Sequence, residues 1–147
     1  MKPIVVGFDG SDHSVVALER ALTEAELRNA PLHVVHVVDV SPAILHLPGN
    51  VEVTTEEIAR ARSESVWSKA GELLDTSPVQ AQRINLDGYA GDALVEYCEE
   101  VGAALLVVGT RGRGRLTANL LGSTSRVAVE HATCDVLVAR APAATGD

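Results

Sequence analysis

Aromatic residues are scarce in this 147-residue chain: they fill 3% of positions, although 46% of positions are hydrophobic. The core must therefore be built from Val, Leu, Ile and Ala, as in tightly packed α/β sheets. Cysteine is scarce too. Cys98 and Cys134 are too few for a disulfide framework or a four-ligand zinc site, and they read as small buried hydrophobes. No apolar run approaches the roughly 20 residues that span a bilayer, so no membrane segment is expected. Basic residues are in deficit, 12 Lys+Arg against 20 Asp+Glu, for a net charge of −8. A phosphate backbone or an anionic membrane surface needs the opposite balance, which argues against nucleic acid as a partner. Met1-Lys2-Pro3 leads directly into a strand pattern without the layout of a signal peptide. A reducing cytoplasm is the expected setting.

The length suits one domain with a sizeable core, expected over residues 1–141, with a flexible tail at 142–147. Lys2 to Asp9 has an unbroken apolar middle, Ile4-Val5-Val6, as a parallel strand covered on both faces should. Asp9-Gly10-Ser11 then offers turn and N-cap chemistry. Val15, Leu18, Leu22 and Ala25 follow at helical spacing, stopped by Asn29 and Pro31. Leu32 to Asp39 is a second buried strand. Residues 41–53 hold Pro42, Pro48, Gly49 and Asn50 and read as a loop. Thr54 with Glu57 matches a capping box for a helix carrying Ile58, Ala61, Val66, Ala70 and Leu73. Val79 to Leu86 alternates, as at a sheet edge. A short helix with Leu94, Cys98 and Val101 inward ends at Gly102. Ala103 to Gly109 is a third strongly buried strand. A helix from Gly122-Ser123 to His131 and a last strand, Cys134 to Arg140, complete a β-α-β-α-β-α-β-α-β order. That order implies a parallel sheet with helices on both faces and right-handed crossovers.

Ligands of such sheets bind beyond the carboxyl ends of strands where the winding reverses. Two strand ends stand out. One carries Gly7-Phe8-Asp9-Gly10-Ser11. The other carries Gly109-Thr110-Arg111-Gly112-Arg113-Gly114-Arg115, followed by Gly122-Ser123-Thr124-Ser125 at a helix start. Glycines let several backbone N–H groups turn toward an anion. A helix opening at Gly122-Ser123 adds free N–H donors and the positive end of its dipole. The hydroxyls of Ser123 and Ser125 are further candidates. Three arginines within five positions of an acidic protein suggest a small anion, with bidentate geometry available.

The spacing Gly109-x2-Gly112-x9-Gly122-Ser123 resembles the ATP-binding signature of the universal stress protein family. Gly7-Phe8-Asp9-Gly10-Ser11 is similar to that family's first-strand motif, and His36-Val37-Val38-Asp39 to the end of its second strand. Cys134-Asp135-Val136-Leu137-Val138 resembles its closing strand, and residues 41–65 are the least typical stretch. The resemblance implies a five-stranded parallel sheet of order 3-2-1-4-5, so that strands 1 and 4 are neighbours and both loops face one crevice. It further implies that Asp9 lies at the adenosine and metal side, where Mg²⁺ accompanies ATP, and that Val37 meets adenine through its backbone. Gly109, Arg111 and Gly112 would line the ribose and phosphates, and Gly122, Ser123, Thr124 and Ser125 the phosphate tail. Arg113 and Arg115 join the set on charge grounds, with Gly7, Thr110 and Gly114 completing the two loops. Family members commonly form homodimers through the last strand, here Cys134 to Arg140, an edge in that order.

Plainer readings stand beside these. Asp9 also suits an N-cap, and the arginines a solvated loop. His33 and His36 suit a strand interior, while His13, His46 and His131 have no metal-spaced partners. Trp67 reads as a packing residue. The chain has no nucleophile–base pair, no G-x4-G-K-[ST] loop and no H-x-G-H motif. A nucleotide-dependent stress-response or signalling module is therefore expected before an enzyme. The alternatives are a slow Mg-dependent ATPase and a regulator that takes a cyclic nucleotide such as cAMP.

Overall fold

Local chemistry sets where each element starts and stops. The computed structural model describes residues 1–38, 44–49, 51–110 and 121–141. In order, they form β1 (Ile4–Gly7), α1 (Asp12–Arg28), β2 (Leu32–Val38), β3 (Ile44–Leu47), β4 (Val51–Thr54) and α2 (Thr55–Leu74). β5 (Ala81–Asp87), α3 (Ala90–Val101), β6 (Leu105–Gly109), α4 (Ser123–His131) and β7 (Asp135–Ala139) follow. The expected tail, 142–147, lies outside the described residues.

Ser11, not Asp9, caps α1: its hydroxyl accepts from the Ser14 amide at 3.2 Å. Asp9 instead accepts the Ser11 amide at 2.9 Å, folding the turn that delivers the chain to its cap. Asn29, in the left-handed region at φ 52°, ends the helix. At α2 the expected capping box forms, with Thr54 and Glu57 bonding each other's backbone. Ala61 is exposed, however, and the helix buries only Val66, Ala70 and Gly71. Its first turns overhang the sheet.

Five strands pair in the order β5-β2-β1-β6-β7, all parallel. Counted among themselves, they run third, second, first, fourth, fifth, as expected. The expected loop 41–53 is a departure where it is described, at 44–49 and 51–53. Ile44–Leu47 and Val51–Thr54 pair as an antiparallel hairpin whose turn includes Pro48 and Gly49, the latter at φ +89°. Pro48 and Gly49 mark the turn between two strands here, not a structureless loop.

The unbroken apolar runs are explained by double coverage. Ile4, Val6, Val34 and Val107 pack into one core cluster with Leu18 of α1 and Val66 of α2. Val5, Val35, Leu106 and Val108 pack into the other with Leu94 and Cys98 of α3 and Ala128 of α4. Each such buried side chain contributes about 1.5–3 kcal/mol relative to exposure. β5 alternates in burial, as suits its place at the edge. Among the described residues, no helix is long and apolar enough to cross a membrane.

His33, His36 and Trp67 settle as packing groups. His36 is buried, with Nδ1 3.3 Å from the Phe8 carbonyl and its ring edge-on to Trp67. The Trp67 Nε1–H donates to Asn85 Oδ1 at 3.0 Å, and the Arg83 guanidinium lies over its ring. His33 meets the Tyr97 hydroxyl at 2.9 Å, and desolvation lowers its pKa.

Candidate functional site

β1 and β6 are neighbours at the point where the sheet reverses, because β2 lies on one side of the pair and β7 on the other. A cavity opens beyond their carboxyl ends, between the sheet and the starts of α3 and α4. About 500 Å³ of atom-free space lies there, open solvent at the mouth included. One end is apolar, formed by Val35, Val37, Ala90 and Leu94. The other is polar and glycine-lined, formed by Gly109, Gly122, Thr124 and Ser125. Gly7, Phe8 and Asp9 form part of the wall from β1.

Two glycines sit where a side chain would crowd a neighbour, Gly109 against backbone and Gly7 against the end of a side chain. A Cβ on Gly109 would stand 2.8 Å from the His13 carbonyl oxygen, and one on Gly7 2.8 Å from Leu94 Cδ1. The first turn of α1 thus presses against the end of β6. Thr110, the next residue, is a hydrogen-bond hub. Its amide donates to Ala139 O at 3.1 Å, and its carbonyl accepts the Gly122 amide at 2.7 Å. The same carbonyl accepts the Ser125 hydroxyl at 3.0 Å, and Thr110 Oγ1 lies 3.1 Å from His13 Nδ1. These bonds clasp together the two ends of the segment 110–122.

Gly122 is the N-cap of α4 and has no side chain to offer, so no side-chain hydrogen bond caps that helix. α3 starts in the same way at Tyr89, again without a side-chain cap. α1 and α2, by contrast, are capped by Ser11 and Thr54. Three helix starts border the cavity: α1 does so through Ser14 and is capped by Ser11, whereas α3 and α4 begin with N-terminal donors that no side-chain cap has taken.

Of the residues marked out by sequence, the cavity wall holds Gly7, Asp9, Val37, Gly109, Gly122, Thr124 and Ser125. Thr110 is buried behind it, and Ser123 is exposed at the first helical position. Ser125 lines the wall, and its hydroxyl also bonds Thr110 O and Gly122 O, both at 3.0 Å, which ties the loop. Arg111, Gly112, Arg113, Gly114 and Arg115 lie outside the described residues.

Sequence reading missed Phe8, Ser14, Val35, Ala90, Leu94 and Val108 on the wall. Val35 was recoverable, since it shares a strand face with Val37, and Leu94 follows Ala90 by one helical turn. Lys69 had no signal. It reaches from α2 to donate to the Gly10 carbonyl at 2.7 Å, placing a cation beside the β1–α1 turn.

Asp9 is the carboxylate of the wall, and no group of three or more His, Cys, Asp or Glu among the described residues is arranged to hold a metal. The cysteines are remote from any nucleophilic duty. Burial, with the Cys134 thiol close by, pushes the Cys98 thiol up to about 12, which keeps it protonated and inert.

A doubly wound α/β domain of this kind takes its ligands in the crevice at the switch point. Comparison with known proteins narrows the class. The profile of the universal stress protein family matches residues 1–140, and this chain belongs to that family. It is 33% identical over 142 residues to a universal stress protein of Methanocaldococcus jannaschii, covering 96% of this chain and 83% of that protein. The universal stress protein UspA from Lactobacillus plantarum superposes with a TM-score of 0.78 at 25% identity, over 95% of this chain and 97% of that one. A universal stress protein solved in complex with cAMP superposes with a TM-score of 0.65 at 30% identity, over 95% and 96% of the two chains.

Proposed function

We propose that this chain binds ATP in the β1–β6 crevice and serves as a nucleotide-dependent stress-response module, acting in the cytoplasm as a homodimer. One observation carries the reading. The Gly122 amide bonds the Thr110 carbonyl, so that Gly109 and the uncapped start of α4 face one cavity whose far end is apolar. The base belongs at the apolar end, against Val35, Val37 and Leu94. The phosphates belong at the glycine end, where the α4 amides and helix dipole favour negative charge. Thr124 adds a hydroxyl there.

Among the described residues Asp9 is the wall carboxylate, which suits Mg²⁺, an ion that keeps most of its waters and is commonly held by one or two carboxylates plus phosphates. Asp9 is the residue that would hold it, and the ion screens phosphate charge when bound. Turnover is not expected, because no described wall residue pairs a nucleophile with a positioned base.

The test is calorimetric titration of the purified chain with ATP, paired with mass identification of any nucleotide released on denaturation. Saturable heat and a released adenine nucleotide support the reading. No heat at millimolar ATP refutes it. Because a relative was solved with cAMP, the same titration with cAMP decides which phosphate form is preferred.

A further inference from the structure

Tyr89 has no packing role in the fold. It is 79% exposed, in a chain that is 3% aromatic. The other aromatics are engaged: Phe8 is buried, Trp67 contacts Asn85 and Arg83, and Tyr97 meets His33. Tyr89 also occupies the N-cap of α3, where Ser, Thr, Asp or Asn would bond the first turn, and it makes no such bond. A bulky ring left in water at a position that rewards a small polar group has no structural explanation.

Its location supplies one. The next residue, Ala90, is part of the cavity wall. The preceding Gly88 donates its amide to the Val38 carbonyl at 3.0 Å, which ties the β5–α3 turn to the end of β2, one residue beyond Val37. Tyr89 therefore flanks the apolar end of the crevice, at its mouth. Exposed side chains change rotamer on the picosecond to nanosecond scale, so the ring is not locked in one orientation.

We propose that Tyr89 is a base-stacking residue, whose ring covers the exposed face of a purine seated against Val37 and Leu94. This rests on the nucleotide reading above and adds the group that makes the site prefer nucleotides over bare phosphates. A π-face offers stacking to any base, so the residue supplies affinity for a base without choosing among bases.

The experiment compares wild type, Tyr89→Ala and Tyr89→Phe in calorimetric titrations with ATP and with inorganic tripolyphosphate. Tyr89→Ala is expected to bind ATP about 5- to 30-fold more weakly, and Tyr89→Phe within about twofold of wild type. Affinity for tripolyphosphate should not change. In proton NMR, the Tyr89 ring signals should move upfield when ATP is added, while those of Tyr97 stay in place. Unchanged ATP affinity in Tyr89→Ala overturns stacking alone, and so does an equal loss for ATP and tripolyphosphate. A wild type that binds no nucleotide overturns the reading beneath it, and stacking falls with it.

Discussion

The Gly122 amide donates to the Thr110 carbonyl at 2.7 Å, and this one bond joins the end of β6 to the start of α4. It converts two glycine positions 13 apart in sequence into neighbours on one wall. Every group at the polar end of the crevice is placed relative to it.

Gly122→Ala separates the cavity from the fold. Gly122 has φ −68°, which alanine adopts without strain, and the amide that bonds Thr110 is retained. Gly122 lines the cavity wall, and a methyl group there is expected to narrow the space for phosphate. Affinity for ATP should fall by about tenfold or more, a loss of ~1.4 kcal/mol, with little change in Tm. Calorimetry and thermal melts on the same preparations check both halves.

Gly109→Ala should do the reverse. Its Cβ would meet the carbonyl oxygen and carbon of His13 at 2.8 and 2.9 Å, and backbone of a capped helix does not yield like a flexible side chain. Overpacking of this kind costs about 1–3 kcal/mol, read as a lower midpoint in urea. A variant as stable as wild type would show that α1 is free to retreat from β6.

Much of this was legible in sequence because strands covered on both faces leave a continuous signal. Ile4-Val5-Val6 and Leu105 to Val108 alternate between two cores, so neither face shows a polar break. The hairpin at 44–54 was not legible, because Pro48 and Gly49 read as loop residues whether or not flanking strands pair. The loop-tying bonds of Ser125 were hidden for another reason. A serine at a helix start reads the same whether its hydroxyl points to a ligand or back to the chain. Lys69 and His13 join the site through contacts across 59 and 97 residues, and no local pattern announces such pairs.

Cys98 should weaken the fold's hold at alkaline pH. Its thiol ionises near 12 in the folded chain, against an ordinary value of 9.0, so the unfolded chain loses this proton first as pH rises. The associated stability is fully present below pH 9 and declines through the window from 9 to 12. Cys98→Ala should be less stable than wild type at pH 8, from the lost sulfur packing, and the gap should narrow at pH 10 and 11. Urea midpoints of both proteins across that range test the sign. A gap that stays constant would mean the thiol titrates alike in both states.

Proline at Val136 addresses the proposed dimer without disturbing the sheet. Thr110 N donates to Ala139 O, so the backbone of Ala139 faces β6. In a parallel strand, backbone groups alternate in direction, so Leu137 and Asp135 face β6 too, while Val136 and Val138 face outward along the edge. β7 is the last strand of the sheet, and those outward groups are what a second copy would pair with, antiparallel and about a two-fold axis. Val136→Pro removes one outward donor and leaves every bond to β6 in place. Sedimentation should then report a monomer whose Tm stays close to that of the wild type at low protein concentration. A variant that remains dimeric would place the interface on another face of the molecule.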